Sequence, residues 1–361
     1  MFLKSCATQR DIIKGRDLHK EVSQKGLGDD PFVGSALVDM YTRCGLLIEA
    51  RNVFDKLPDR DVASWNALIA GCVECGFDQE ALDLYRKMQI GGLSPDDVTF
   101  VCTLRACANV GFLDKGYAIH ADITYKGIKH GLYVGNTILD MYAKCGALPE
   151  AWVTFIKLPN HDVISWNTII KGCGFNHDGK MAMEIFEDMR KQGVKPDAIT
   201  FTCLLTACSR ASLVSDGREL FNVMGDQYGI EPSINHYNCM VDLLARSGRL
   251  NEAEKFFQTI PCPPSLALWT ALLSACKTFV KAELGSKCFD ELLQKDPDCA
   301  TSYSIMANIC ASGDTLHMVK APEPKLQSNK LNDVYDFQSN ITEGSIPQLL
   351  LEEICISHQC K

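Results

Sequence analysis

No stretch of this 361-residue sequence stays apolar for the 18 or so residues of a membrane span. Positive charge is not in excess either: 36 Lys+Arg stand against 45 Asp+Glu, for a net charge of −9. A general polyanion binder is thereby disfavoured, because phosphate contacts need lysine and arginine, although a basic groove on an acidic body stays open. The chain has no GxxxxGKS loop to cradle a nucleotide phosphate, and no local sequence signals a Ser-His-Asp arrangement. It opens without an apolar signal segment, which bears on its 18 cysteines. In a chain of this length they read as reduced thiols packed as small apolar groups, not as a secreted disulfide scaffold. An apolar content of 46% excludes a disordered chain.

What the sequence does have is a repeat. VASWNALIAGCVECGFDQEALDLYRKMQIGGLSPD, from Val62 to Asp96, returns 101 residues later as VISWNTIIKGCGFNHDGKMAMEIFEDMRKQGVKPD, from Val163 to Asp197. The same offset relates Gly34 to Gly135, Cys44 to Cys145, Trp65 to Trp166, and Cys6 to Cys107 and Cys208. A single globular core has no reason to keep such a phase, so the chain reads as an array in which each unit packs on its neighbours. The start, MFLKSCATQRDIIKGRDLHK, is basic, but Asp11 and Asp17 argue against an organelle presequence, which is poor in acids. It aligns in phase with LRACANVGFLDKGYAIH, and is expected to be the body of a unit whose first residues lie upstream.

Internal punctuation divides the period into units of 35, 31 and 35 residues. A truncated unit runs to residue 30, followed by units 31–61, 62–96, 97–131, 132–162, 163–197, 198–233 and 234–265; residues 266–299 fit the pattern and 300 to about 320 fit it partly. Each unit predicts a short amphipathic helix, a turn at a glycine (Gly45, Gly76, Gly146, Gly248), and a second helix, closed by loops such as Pro95-Asp96. The twentieth residue is Gly15, Ala50, Ala81, Gly116, Ala151, Ala182, Gly217, Ala253 and Gly285, which predicts a helix crossing where a larger side chain would push the backbones apart. The next unit carries Val319 there, so regular packing is expected to end near it. Residues 321–361, rich in Pro, Asn, Ser and Gln and without a helical period, read as linker or disorder.

Two fragments mimic a cytosine-deaminase zinc site: His19-Lys20-Glu21 and Cys72-Val73-Glu74-Cys75. No proline precedes Cys72, His19 shares its repeat phase with His120, and Cys72 recurs as Cys173 without a second cysteine. Both fragments read as repeat packing, and no catalytic residue, metal ligand or cofactor is assigned.

The phrases FVGSALVDMYTRCG, YVGNTILDMYAKCG, SWNALIAG, HYNCMVDLLARSGRL and LWTALLSAC resemble the pentatricopeptide repeats of plant organellar proteins, in the subclass that alternates long, short and standard units. The resemblance covers residues 3 to 315, and units from Leu266 to about 320 resemble the E motifs that follow the repeats in editing-type members. It implies an all-α, right-handed superhelical solenoid that binds single-stranded RNA in mitochondria or plastids, and no DNA or membrane. The implied task is selecting a cytidine for conversion to uridine, with a deaminase or editing factor supplied in trans through the E-like region.

By the same resemblance, bases are read by the fifth and last residues of a unit: Ser35 with Asp61, Asn66 with Asp96, Asn136 with Asp162, and Asn167 with Asp197. Asn with Asp implies uridine, then cytidine, and Ser with Asp implies guanosine, whereas Val101 with Gly131 and Thr202 near Ser233 depart from the pattern. The implied register, 5′ to 3′, is G, pyrimidine, unspecified, pyrimidine, pyrimidine. Second residues would stack on bases, among them Phe32, Tyr133 and Ile164, with Val98 and Ile199 in the same place; Ala63 reads as packing. Arg43, Lys144 and Arg246, at the thirteenth place of the short units, would face phosphate. Against these stand plainer readings: local pairing of each Asn at a helix start, core packing of the second residues, and scattered surface charge. A tetratricopeptide-like scaffold for a peptide, or an inactive truncated product, are the alternatives for the whole.

Overall fold

The computed structural model describes residues 2–28, 30–125, 131–261, 265–297 and 299–312, and every regular element among them is a helix. The chain divides into a compact unit Met1–Ile309 and a second unit, Cys310–Lys361. Of the second, the described part is 310–312, the end of a helix; the expectations for 313–320 and for the tail 321–361 lie outside the described residues.

The first unit is an all-α solenoid of helix pairs: α1 (Phe2–Gln9) with α2 (Ile12–Gln24), α3 (Pro31–Arg43) with α4 (Leu47–Lys56), and α5 (Val62–Glu74) with α6 (Asp78–Ile90). Then come α7 (Asp97–Val110) with α8 (Leu113–Tyr125), α9 (Leu132–Lys144) with α10 (Leu148–Lys157), and α11 (Val163–Phe175) with α12 (Gly179–Lys191). The series closes with α13 (Ala198–Ala211) and α14 (Val214–Asp226), α15 (Ile234–Arg246) and α16 (Leu250–Phe257), α17 (Leu266–Thr278) and α18 (Ala282–Lys295), and α19 (Ala300–Ser312).

Local chemistry sets the ends of these helices. Asp30, Asp61, Asp96, Asp162 and Asp197 are N-caps, each carboxylate accepting the amide of the third helical residue. Such a cap stabilises a helix by about 1 kcal/mol. At the turns, Gly45, Gly76, Gly146 and Gly248 have φ of 77°, 80°, 82° and 73°, the left-handed region that a side chain makes costly. His177 takes the equivalent place after α11 at φ 58°, as Ser212 does after α13 at φ 56°.

Among the described residues no helix exceeds 14 residues, too short to persist alone, so stability must come from stacking. Each odd-numbered helix from α1 to α15 packs on the next odd-numbered one and on its own partner. The even-numbered helices from α2 to α14 pack on the first helices on either side of them. First helices therefore form one continuous layer and second helices the other. Phe54 of α4 meets Trp65 of α5 edge-on at 4.8 Å, and Phe155 of α10 meets Trp166 of α11 in the same way at 4.8 Å.

The twentieth-residue rule has a different cause from the expected backbone approach. A Cβ on Gly15 would sit 2.5 Å from Met40 Sδ, one on Gly116 would overlap the Met141 thioether, one on Gly217 the Leu243 side chain, and one on Gly285 would meet Ile309 Cδ1 at 3.1 Å. Each obstacle is a side chain at the tenth place of the following unit. Where the twentieth residue is Ala, the tenth residue ahead is small: Gly71, Ala106, Gly172, Ala207 and Ala275 follow Ala50, Ala81, Ala151, Ala182 and Ala253. Volume is thus traded across the four boundaries where the twentieth residue is Gly, whereas an added Cβ on Gly71 or Gly172 would meet Thr42 or Ala143.

The cysteines fit the packing reading. Cys72, Cys107, Cys173 and Cys208 are fully buried free thiols, and burial pushes them up to about 11, 12, 12 and 12 respectively. Such thiols stay protonated and unreactive. His19 Nδ1 lies 2.8 Å from the Tyr41 hydroxyl, and His120 Nδ1 lies 2.8 Å from that of Tyr142, so the phase shared by these histidines serves a repeated contact. Cys75 is an exposed C-cap residue of α5, and among the described residues no cluster suited to a metal ion occurs.

Candidate nucleic-acid interface

The first-helix layer carries the fifth residues, and the loops entering the next first helices carry the last residues. Ser35 Oγ donates to Asp61 Oδ1 at 3.0 Å, and it also lies 2.6 Å from the Pro31 carbonyl. Asn66 Nδ2 donates to Asp96 Oδ1 at 2.9 Å, and Asn167 Nδ2 to Asp197 Oδ1 at 3.0 Å. Asn136 reaches Asp162 Oδ1 at 3.5 Å. All four pairs therefore meet, across 26 or 30 residues of sequence. Since every one of these Asp residues also caps the next helix, one carboxylate both starts a helix and orients the side chain beside it.

The asparagines are less open than the sequence implies. Asn66, Asn136 and Asn167 are 7%, 8% and 7% exposed. Thr99 Oγ1 lies 2.6 Å from Asn66 Oδ1, and Thr200 Oγ1 lies 2.6 Å from Asn167 Oδ1. The acceptor side of each amide is thus already engaged, and one Nδ2–H of each is left over from these bonds. Sequence reasoning missed both threonines. Their signal was the Asp-x-x-Thr spacing of a capping box, formed at Asp96 and Asp197, which says nothing of a bond reaching back 33 residues. Burial pushes the Asp197 carboxyl up, but the Thr200 amide, the Asn167 amide and the Thr200 hydroxyl outweigh it and hold the group below its ordinary value.

Of the departing long units, Val101 is buried and without a polar group, and Gly131 caps α9 with no side chain. Thr202 Oγ1 donates to the Ala198 carbonyl of its own helix, and Ser233 caps α15 in a box with His236.

Second residues stand out from the first helices. Phe32, Val98, Tyr133, Ile164 and Ile199 are 74%, 52%, 70%, 62% and 61% exposed, so none packs in the core. Ala63 is exposed as well, contrary to the packing expected of it. A spaced row of exposed apolar side chains, one per helix pair, has the form of a stacking surface.

Each of the three cations expected to face phosphate has an acidic partner. Arg43 Nε pairs with Asp39 at 2.8 Å, Lys144 with Asp140 at 2.8 Å, and Arg246 Nε with Asp242 at 2.8 Å, each one turn back along its helix. The ninth-place Asp was legible as D-x-x-x-[RK] in all three short units. Further cations share the layer: Arg10, Arg43 and Arg105 line a cleft of about 500 Å³ together with Glu74. The Arg210 guanidinium lies 5.1 Å from the centre of the Phe175 ring, and Lys171 Nζ lies 5.6 Å from it, both in cation–π range.

Comparison with known proteins agrees with this architecture. The PPR repeat family model matches residues 60–109 and 161–210, and PPR repeat models match 35–62, 199–227 and 228–260. A pentatricopeptide repeat-containing protein of Arabidopsis thaliana is 38% identical over 307 residues, 85% of this chain and 42% of that protein. The chloroplastic pentatricopeptide repeat-containing protein CRR2 of Arabidopsis thaliana is 36% identical over 335 residues, 91% of this chain and 51% of that protein. The chain thus spans about half the length, or less, of these relatives. Among solved structures, the pentatricopeptide repeat protein PPR10 in complex with an 18-nt psaJ RNA element superposes with a TM-score of 0.68 at 16% identity, over 82% of this chain and 45% of that one. By its repeats, its stacked helix pairs and its relatives, the chain belongs to the pentatricopeptide repeat family.

Proposed function

We propose that the chain is a non-enzymatic adaptor that binds a short single-stranded RNA along its first-helix layer, one nucleotide per unit. The observation that carries the reading is the pairing of a fifth residue with the last-residue Asp in four units, at Ser35, Asn66, Asn136 and Asn167. Each pair lies beside an exposed apolar second residue that can wedge between bases: Phe32, Tyr133, Ile164 or the smaller Ala63. Arg43, Lys144 and Arg246, with Arg10 and Arg105, supply phosphate contacts that give salt-sensitive binding. The neighbouring solved structure holds RNA, and relatives carry chloroplastic or mitochondrial in their names, which supports a task in an organelle.

In this reading the register is G, pyrimidine, unspecified, pyrimidine, pyrimidine, and the bound RNA is presented to a processing factor held through the helices from α17 onward. Selection of a cytidine for a deaminase supplied in trans is the finer form of the proposal. Equilibrium binding at fixed salt tests the core of it: an oligonucleotide of this register binds, and one with its pyrimidines changed to purines binds more weakly. Equal binding of the two overturns the register, and capture of an extended peptide with no RNA affinity favours a tetratricopeptide-like scaffold.

A further inference from the structure

The three reading asparagines are held in two different ways. Around Asn66 the hydrogen bonds close a ring: Nδ2 donates to Asp96 Oδ1 at 2.9 Å, Thr99 Oγ1 donates to Oδ1 at 2.6 Å, and the Asp96 amide donates to Thr99 Oγ1 at 3.2 Å. Asn167, Asp197 and Thr200 repeat the ring at 3.0, 2.6 and 3.1 Å. Thr99 and Thr200 are fully buried, and a β-branched side chain keeps few rotamers, so each Oγ1 stays beside its amide oxygen at 2.6 Å, with the capping Asp Oδ1 as a second, longer acceptor at 2.9 Å. Turning either amide over would set its oxygen against the carboxylate that now accepts its Nδ2–H, two acceptors face to face, and the threonine hydroxyl would be left with only the Asp oxygen 2.9 Å away.

Asn136 has no such lock. The residue in the threonine's place is Ser165, whose Oγ donates to Asp162 Oδ1 at 2.9 Å and not to the amide. Asn136 Oδ1 is buried without a hydrogen-bond partner, and its Nδ2 lies 3.5 Å from Asp162, at the limit of a bond. A buried unpaired acceptor is costly and takes up any donor offered to it.

We infer that Thr99 and Thr200 are positioning residues that set the choice between uridine and cytidine at the units of Asn66 and Asn167, and that Asn136, lacking one, chooses weakly. The inference rests on the RNA reading proposed above. A locked amide offers a base its remaining Nδ2–H, a donor. Uridine carries a carbonyl acceptor at C4, whereas cytidine carries an amino donor there, as thymine and cytosine do in DNA. Donor facing acceptor favours uridine; donor facing donor rejects cytidine. The unlocked Asn136 can turn either edge to the base and so serves both.

The test measures the uridine-to-cytidine affinity ratio of the full chain with single-position oligonucleotides of the register, at one salt concentration. We expect a high ratio at the Asn66 and Asn167 positions and a ratio near one at the Asn136 position. Thr99→Val should lower the Asn66 ratio by about fivefold, the worth of roughly one hydrogen bond, while leaving the Asn167 ratio alone. Thr99→Ser, which retains the hydroxyl, should recover part of the loss, and Ser165→Thr should raise the ratio at the Asn136 position. A general loss of packing would lower all affinities together and leave each ratio in place. Bound RNA with ratios unmoved by Thr99→Val and by Ser165→Thr overturns this inference alone. No binding of the unaltered chain to any register oligonucleotide overturns the RNA reading and this inference with it.

Discussion

Gly116 and Met141 divide one space between two units: a Cβ on the glycine would overlap the thioether, with Cε at 2.8 Å. The finding makes the four glycines at the twentieth place a matter of paired volumes. Gly116→Ala crowds the buried but flexible end of Met141 and gains about 0.5–1 kcal/mol of helix propensity, so a net destabilisation of no more than about 1 kcal/mol is expected. Adding Met141→Ala should relieve that strain while opening space of its own, so the two changes will not sum. Urea unfolding of the two single variants and the double variant measures the coupling. Strict additivity would refute the pairing.

Helix phase and unit length were legible because each repeats at a fixed offset, and the four Asn or Ser with Asp pairs were implied by the family resemblance. The partner of the twentieth residue was not legible, because it lies in the next unit and varies in step with it. Thr99 and Thr200 were legible as capping residues only. Their second bond reaches back to Asn66 and Asn167, and only the stacking of α5 on α7 and of α11 on α13 brings those groups together. Ala63 was misread because a small apolar residue on a helix suggests packing, whereas position along the turn decides exposure.

Asp96 caps α7 and orients Asn66, so one substitution acts on two links. Asp96→Ala should cost about 1 kcal/mol of stability through the lost cap and also weaken binding of the register oligonucleotide. Asp96→Asn should spare the cap, since Asn caps a helix nearly as well as Asp. Thermal unfolding and RNA titration of the two variants separate these effects, and equal stability loss in both would contradict the capping role.

Asp39 holds Arg43 in an exposed pair, which is worth only about 0–1 kcal/mol to the fold. Its larger consequence is electrostatic, because the carboxylate offsets a cation that faces the cleft of Arg10 and Arg105. Asp39→Asn should leave stability nearly unchanged and strengthen RNA binding at low salt. Arg43→Ala should lower the slope of log affinity against log salt by about 0.7, the value of one single-strand phosphate contact. An unchanged slope would remove Arg43 from the interface.

Burial, with the Lys56 charge adding to it, holds the His19 imidazole below its ordinary value of 6.5. Between the depressed value and 6.5 the unfolded chain binds a proton that the folded chain does not, so stability rises with pH across that window. The contribution is fully present above 6.5 and declines as pH falls through the window. Urea midpoints taken from pH 7 to pH 5 should fall, and His19→Asn should flatten part of that fall. A steeper fall in the variant would contradict the sign.

His177 occupies, at φ 58°, the turn that glycine holds in five other units, at Gly45, Gly76, Gly111, Gly146 and Gly248. His177→Gly should stabilise the fold by about 1 kcal/mol by removing left-handed strain at a non-glycine residue. Its side chain also approaches the Arg210 carbonyl at 3.4 Å, a long contact whose loss should not reverse the gain. A lowered unfolding midpoint would show that contact to be the stronger effect.

The central claim is that one base is read per unit, by the fifth and last residues. The most direct measurement changes each of the five register nucleotides singly and titrates the chain with every resulting RNA at one salt concentration. The account predicts a loss of affinity when any of the three pyrimidines is changed to a purine. It predicts almost none when the base opposite Val101 and Gly131 is changed, because Val101 has no group to bond it. A flat profile across all five positions, or its largest loss at the Val101 position, would contradict the account.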